Sequence, residues 1–154
     1  MTDPIHKTVT VPLSAGEAFD LFTTAIDAWW PKQSHSVSAD TGDGNTASVR
    51  MEPREGGRVI ETLPDGGEVN WATVTTWRPG QHLALDWYPG RDEDAATQVT
   101  VTFEPTEAGT RVDLVHDGFD HLGKDAETLC ASYNTGWDEV LGRCYRGHCQ
   151  SLAA

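Results

Sequence analysis

Residues 125–151, DAETLCASYNTGWDEVLGRCYRGHCQS, decide the architecture. Leu129, Tyr133, Trp137, Val140, Leu141 and Cys144 recur at helical spacing, and no proline interrupts them. The stretch therefore reads as one long amphipathic helix at the C-terminus. Gly136, Gly142 and Gly147 each weaken it by about 1 kcal/mol relative to alanine. Gly136, next to Trp137, allows the helix to approach another backbone closely.

Upstream of this helix the apolar period changes from helical to two. Arg111 to His116 places Val112, Leu114 and His116 on one face, and Thr97 to Glu104 does the same with Val99, Val101 and Phe103. His82 to Tyr88, Glu68 to Trp77, Arg58 to Leu63, Thr46 to Glu52 and Ile5 to Val11 also read as strands. The turns between them are short: Glu107-Ala108-Gly109, Pro79-Gly80, Pro64-Asp65-Gly66-Gly67 and Pro53-Arg54-Glu55-Gly56-Gly57. Short turns make consecutive strands antiparallel neighbours.

Pro12 ends the first strand, and Ser14-Ala15-Gly16-Glu17 is a capping box. Ala18, Phe19, Leu21, Phe22, Ala25 and Ile26 then predict a helix over 15–28, blocked by Pro31. Gln33 to Asn45 is polar and rich in Ser, Gly and Asp, so it reads as a loop over the mouth of a cavity.

The predicted class is α+β: a curved antiparallel sheet wrapped around the C-terminal helix, the only element long enough to cover it. A curved face is wider than one helix stripe. A concave apolar gap between the two is the expected binding site. Residues 1–154 make one domain of ordinary size, able to bury roughly 70% of its unfolded surface without a disulfide or metal.

Eleven Lys and Arg against 24 Asp and Glu give a net charge of -13. Such a field repels phosphate backbones and anionic membrane surfaces, so neither nucleic acid nor membrane is an expected partner. No apolar run is long enough to span a bilayer, and Met1 to Lys7 lacks the apolar core of a signal peptide. The expected compartment is the cytoplasm, where Cys130, Cys144 and Cys149 would stay reduced. Cys144 and His148 stand at i and i+4, but Cys149 turns away and a fourth ligand is missing, so no metal site is expected. No cofactor motif is present: Gly56-Gly57 and Gly66-Gly67 are turn glycines.

Six tryptophans are many for 154 residues. Each has a large apolar body and an N–H that seeks a partner. Trp71, Trp87 and Trp137 are expected near the cavity, with Trp30 or Trp29 at its mouth. His116 lies on the apolar face of its strand, where it is held by a hydroxyl or transfers protons near neutral pH. Tyr133 on the facing helix is its natural companion. Glu61 and Asp86 are the candidate carboxylates, though alternation can turn both to solvent. The ligand-binding set is thus Trp30, Trp71, Trp87, His116, Tyr133 and Trp137, with no catalytic residue assigned.

Several segments taken together carry a family resemblance: Trp29-Trp30-Pro31, Glu52-Pro53-Arg54-Glu55-Gly56-Gly57-Arg58, Trp71-Ala72-Thr73-Val74, Leu83-Ala84-Leu85-Asp86-Trp87, Gly109-Thr110-Arg111-Val112-Asp113-Leu114 and Tyr133-Asn134-Thr135-Gly136-Trp137. Over roughly residues 5–150 the chain resembles the small bacterial proteins similar to the activator of the 90-kDa heat-shock protein (Hsp90) ATPase, within the START-like superfamily (SRPBCC). The resemblance implies the helix-grip fold and an internal cavity, and it carries over no shared catalytic residue. The expected function is that of a carrier or sensor of a small hydrophobic or aromatic molecule. The alternatives are a cyclase- or hydrolase-type enzyme using His116 and Tyr133, or a module contacting a chaperone. Monomer and homodimer are both compatible with the sequence.

Overall fold

The structure, a computed structural model, describes residues 3–31, 48–89 and 91–153. The loop read at Gln33 to Asn45 lies outside the described residues. Seven strands form one antiparallel sheet: β1 (Ile5–Val11), β2 (Ser48–Met51), β3 (Arg58–Thr62), β4 (Glu68–Arg78), β5 (His82–Trp87), β6 (Thr97–Thr106) and β7 (Gly109–Asp117). Their order is β1-β7-β6-β5-β4-β3-β2. Six consecutive strands form a meander, and β1 joins its far edge by pairing with β7, from Ile5↔His116 to Val11↔Thr110.

Alternation held where it was clearest. Leu83, Leu85 and Trp87 of β5, Thr97, Val99, Val101 and Phe103 of β6, and Val112, Leu114 and His116 of β7 are all buried. Strand β4 departs from it. Its pairing with β3 skips from Val59↔Ala72 to Ile60↔Asn70, leaving Trp71 as an extra residue. Its pairing with β5 skips from Val74↔Leu85 to Thr76↔Ala84, leaving Thr75 extra. Plain alternation along β4 would set Trp71 and Trp77 on one face with Thr73 and Thr75, and the structure corrects that expectation. The two bulges turn Trp71 into the core beside Ala72, and put Trp77 on the side of Val74 and Leu83.

Helix α1 spans Ala15–Phe22 and starts at the capping box: Ser14 Oγ accepts from Glu17 N, and Glu17 Oε1 accepts from Ser14 N. It stops earlier than the predicted 28. Thr23 and Thr24 turn their hydroxyls back onto the Phe19 and Asp20 carbonyls, and a separate 3-10 turn follows at Ile26–Ala28.

The C-terminal helix, α2, runs over residues 126–153. It is α-helical at Ala126–Trp137, π-helical at Asp138–Tyr145 and α-helical again at Arg146–Ala153. The buried positions of its second half are Trp137, Val140, Leu141, Tyr145 and Cys149. Residues 137, 141, 145 and 149 are four apart, a spacing that drifts around an α-helix. The wider π winding offsets that drift and keeps them in one file. For the same reason Tyr145, not the predicted Cys144, is the fully buried residue there. The Tyr145 hydroxyl donates to the Ala18 carbonyl at 2.7 Å, tying α2 to α1. Lys7 pairs with Asp138 at 2.8 Å, tying α2 to β1.

The β6–β7 turn closes against the end of β1. Gly109 has φ 139°, and a Cβ there would strike the Val11 carbonyl oxygen. Gly109→Ala should therefore lose about 2–4 kcal/mol of stability, measured by urea denaturation. A variant as stable as the wild type would contradict this packing.

Candidate functional site: an indole cluster with one unanswered donor

Four of the sequence-selected tryptophans meet in one place. Trp30 follows the 3-10 turn, Trp71 comes from the β4 bulge, Trp87 ends β5, and Trp137 sits where α2 passes from α to π winding. Trp30 lies 5.1 Å from Trp71, 6.0 Å from Trp87 and 6.1 Å from Trp137, centroid to centroid. Trp87 lies 6.2 Å from Trp71 and 5.7 Å from Trp137. All four are buried. The space expected as an open gap is, at this point, occupied by the indoles themselves. Two rings flanking a flat guest stand about 7 Å apart, so admitting one requires an indole to move. Trp29, the other residue expected at the mouth, instead packs toward Phe22 and Tyr145 and donates its N–H to the Leu21 carbonyl at 2.7 Å.

The indole N–H groups differ in how they are satisfied. Trp71 Nε1 donates to Glu61 Oε1 at 2.9 Å. Trp137 Nε1 donates to His116 Nδ1 at 3.0 Å. Trp87 Nε1 is buried and, among the described residues, has no acceptor. A buried donor left unmet costs roughly 1–3 kcal/mol, so such groups are rare in folded proteins.

His116 is fully buried and uses both ring nitrogens. Indole N–H only donates, so Nδ1 must accept and the ring proton sits on Nε2. Nε2 then donates to Thr97 Oγ1 at 2.5 Å, and the Thr97 hydroxyl donates to the Trp87 carbonyl at 3.3 Å. This chain links α2, β7, β6 and β5. Arg91 reinforces its end: Nη2 donates to the same Trp87 carbonyl at 2.9 Å, and Nη1 to the Tyr133 hydroxyl at 3.3 Å. Tyr133 and Phe119 pack on the His116 ring, with centroids at 4.7 and 4.6 Å. Burial, with the Arg91 charge adding to it, pushes the His116 pKa down from 6.5 to about 3. The imidazole is thus a neutral bridge with both nitrogens occupied. Tyr133 touches His116 and Arg91 but none of the four clustered indoles is paired with it.

Glu61 is fully buried, on the same face of β3 as the core residue Val59. The doubt over its direction is resolved inward. Asp86 alternates away from Leu85 and Trp87 and is half-exposed. Thr97 and Arg91 were missed. Thr97 begins an alternating strand with the phase of Val99, which signalled an inward hydroxyl, whereas nothing local marks Arg91. The Glu52-to-Arg58 element is a rigid turn: Glu52 Oε1 accepts from Arg58 N, Gly56 N donates to the Val74 carbonyl, and Gly57 has no room for a Cβ beside the Glu52 carbonyl. Among the described residues no three His, Cys, Asp or Glu side chains converge on a metal position, and no helix is long and apolar enough to cross a membrane. The three cysteines are free, and burial raises the Cys149 thiol to about 11.

A curled antiparallel sheet gripping a long C-terminal helix around an aromatic cluster defines a helix-grip protein of the START-like (SRPBCC) class. Within it, the chain belongs to the family described as activator of Hsp90 ATPase homolog 1-like protein, whose model matches residues 12–144. No curated protein matches it in sequence. Among solved structures it is similar to Txn09, an anthrahydroquino-γ-pyrone synthase complexed with SUM: 30% identity, 86% of this chain and 88% of that one, TM-score 0.58. It is also similar to the self-sacrificing resistance protein CalC of Micromonospora echinospora: 23% identity, 98% and 96% coverage, TM-score 0.71. The Aha1 dimer of Colwellia psychrerythraea matches at 15% identity, 90% and 96% coverage, TM-score 0.54. The last two matches establish the fold alone.

The His116 assignment fixes a pH dependence. In the unfolded chain the imidazole titrates near 6.5, and in the folded protein near 3. Protonation therefore favours the unfolded state. The contribution is complete above about pH 6.5 and declines as pH falls toward 3, by roughly 1.4 kcal/mol per unit. Relative to His116→Gln, the wild type should lose about 2 kcal/mol between pH 7 and 5, read from denaturation midpoints. Parallel curves for the two proteins would contradict a buried neutral His116.

Proposed function

We propose that the protein binds a flat aromatic molecule bearing a carbonyl or hydroxyl oxygen, between the sheet and the C-terminal helix, as a carrier or sensor. The observation that carries this reading is the buried Trp87 N–H, which has no acceptor among the described residues and is set among three other indoles. The rings supply an apolar stacking surface, and the lone donor supplies an orienting contact. Trp71 and Trp137 are held by hydrogen bonds to Glu61 and His116. Trp30 comes from the segment that follows the 3-10 turn, outside both the sheet and the long helix. His116 and Tyr133 support the cluster from behind. The likeness to a synthase named for an oxygenated, fused aromatic product supports this ligand class.

Tryptophan fluorescence titrations with hydroxyanthraquinones and with anthracene test the reading. Wild-type protein should bind the oxygenated rings about tenfold more tightly than anthracene, the worth of one good hydrogen bond. Trp87→Phe should remove that preference while retaining anthracene binding. No quenching by any member of the panel, or a preference that survives Trp87→Phe, would overturn the proposal.

A further inference from the structure

Beside the end of β5 lies a hollow of about 580 Å³, lined by Arg58, Val69, Tyr88, Arg91, Asp92 and Glu93. Arg58 precedes the core residue Val59 and Tyr88 follows the core residue Trp87, so alternation turns both away from the indoles. The acidic side of the hollow is held in place. A carboxylate only accepts, so the Thr73 hydroxyl donates to Glu93 Oε2 at 2.7 Å, and the Tyr88 hydroxyl then donates to Thr73 Oγ1 at 2.8 Å. The basic side is held too. Arg91 gives Nε to the Ala95 carbonyl at 3.3 Å and its Nη atoms to the Trp87 carbonyl and the Tyr133 hydroxyl. All three acceptors are neutral, so the guanidinium charge meets no counter-charge in them.

Arginine and lysine are the scarce charges of this chain, 11 against 24 Asp and Glu. Arg50, Arg54, Arg111 and Arg143 each pair with a carboxylate. Among the described residues Arg58 and Arg91 pair with none, although Asp92 and Glu93 line the same hollow. Two cations and two anions therefore share one concavity without closing on each other.

We infer that this hollow binds a small zwitterion, an α-amino acid with an aliphatic side chain. Its carboxylate accepts from the Arg58 and Arg91 guanidinium groups, and its ammonium donates to the Asp92 and Glu93 carboxylates. Val69 and the Tyr88 ring offer the apolar contact for its side chain. A ligand with a single charge answers half of this lining and is repelled by the other half. A zwitterion carries no net charge, so the field of a chain at -13 does not turn it away. The inference uses none of the clustered indoles and stands or falls separately from the aromatic-ligand reading.

Calorimetric titration with three probes of one carbon skeleton tests it: leucine, 4-methylpentanoate, which lacks the ammonium, and 3-methylbutylamine, which lacks the carboxylate. Wild-type protein should bind leucine about tenfold more tightly than either, the worth of one charge-assisted contact. Arg58→Gln should weaken leucine about tenfold and leave 3-methylbutylamine unchanged. The double variant Asp92→Asn, Glu93→Gln should weaken leucine similarly and leave 4-methylpentanoate no weaker. The comparison of probes on the wild type needs no variant, so it decides even where a substitution prevents folding. Equal affinity for leucine and 4-methylpentanoate would reduce the hollow to a plain anion site and overturn the inference. Absence of leucine binding, or leucine affinity untouched in a folded Arg58→Gln protein, would overturn it as well.

Discussion

The hydrogen-bond chain from Trp137 through His116 and Thr97 to the Trp87 carbonyl is the constraint on which the site depends. Each link is forced by chemistry. An indole can only donate, so the imidazole must accept on one side and donate on the other, and the threonine hydroxyl passes the direction on to a backbone oxygen. The chain fastens the long helix to three adjacent strands at the end of the sheet where the indoles gather. It works only with a neutral imidazole, and burial keeps it neutral. A charged ring there would face Arg91 and lose the bond from Trp137.

With the helix held at that point, the rest of the packing follows. Trp137 is fixed against Trp87 and Trp30, the π winding carries Leu141, Tyr145 and Cys149 along the same file, and Tyr145 reaches α1. The bulge in β4, the strand beside β5, brings Trp71 into the same group on the core face of the sheet. The outcome is an aromatic core that is close-packed yet polar at selected points: a carboxyl at one indole, an imidazole at another, and an unanswered N–H at a third. Close packing suits a stable domain. The polar groups within it, with the Trp87 N–H unmet among the described residues, are what the proposed ligand would answer by supplying an acceptor.

Much of this was legible in the residues. Period-two alternation in β5, β6 and β7 named the inward side chains, including Trp87 and His116, and the capping box set the start of α1 to the residue. The long apolar stripe marked the helix that covers the sheet. What escaped depends on geometry that no local pattern encodes. A bulge changes which face Trp71 takes without changing its neighbours in sequence. A π segment moves burial from Cys144 to Tyr145 through the winding alone. The depth of Glu61 comes from the sheet's pairing partners, and the missing acceptor at Trp87 is a property of three-dimensional neighbours that only coordinates reveal. Arg91 lies in a charged loop and joins the site only because β5 ends beside Tyr133.

The most direct test of the central claim is the indole N–H region of the 15N–1H spectrum, assigned by single Trp→Phe variants, before and after addition of a hydroxyanthraquinone. The account predicts that the Trp87 N–H moves downfield as it gains an acceptor, with the Trp71 and Trp137 N–H signals shifting much less because Glu61 and His116 already hold them. An unmoved Trp87 signal under saturating ligand would contradict it.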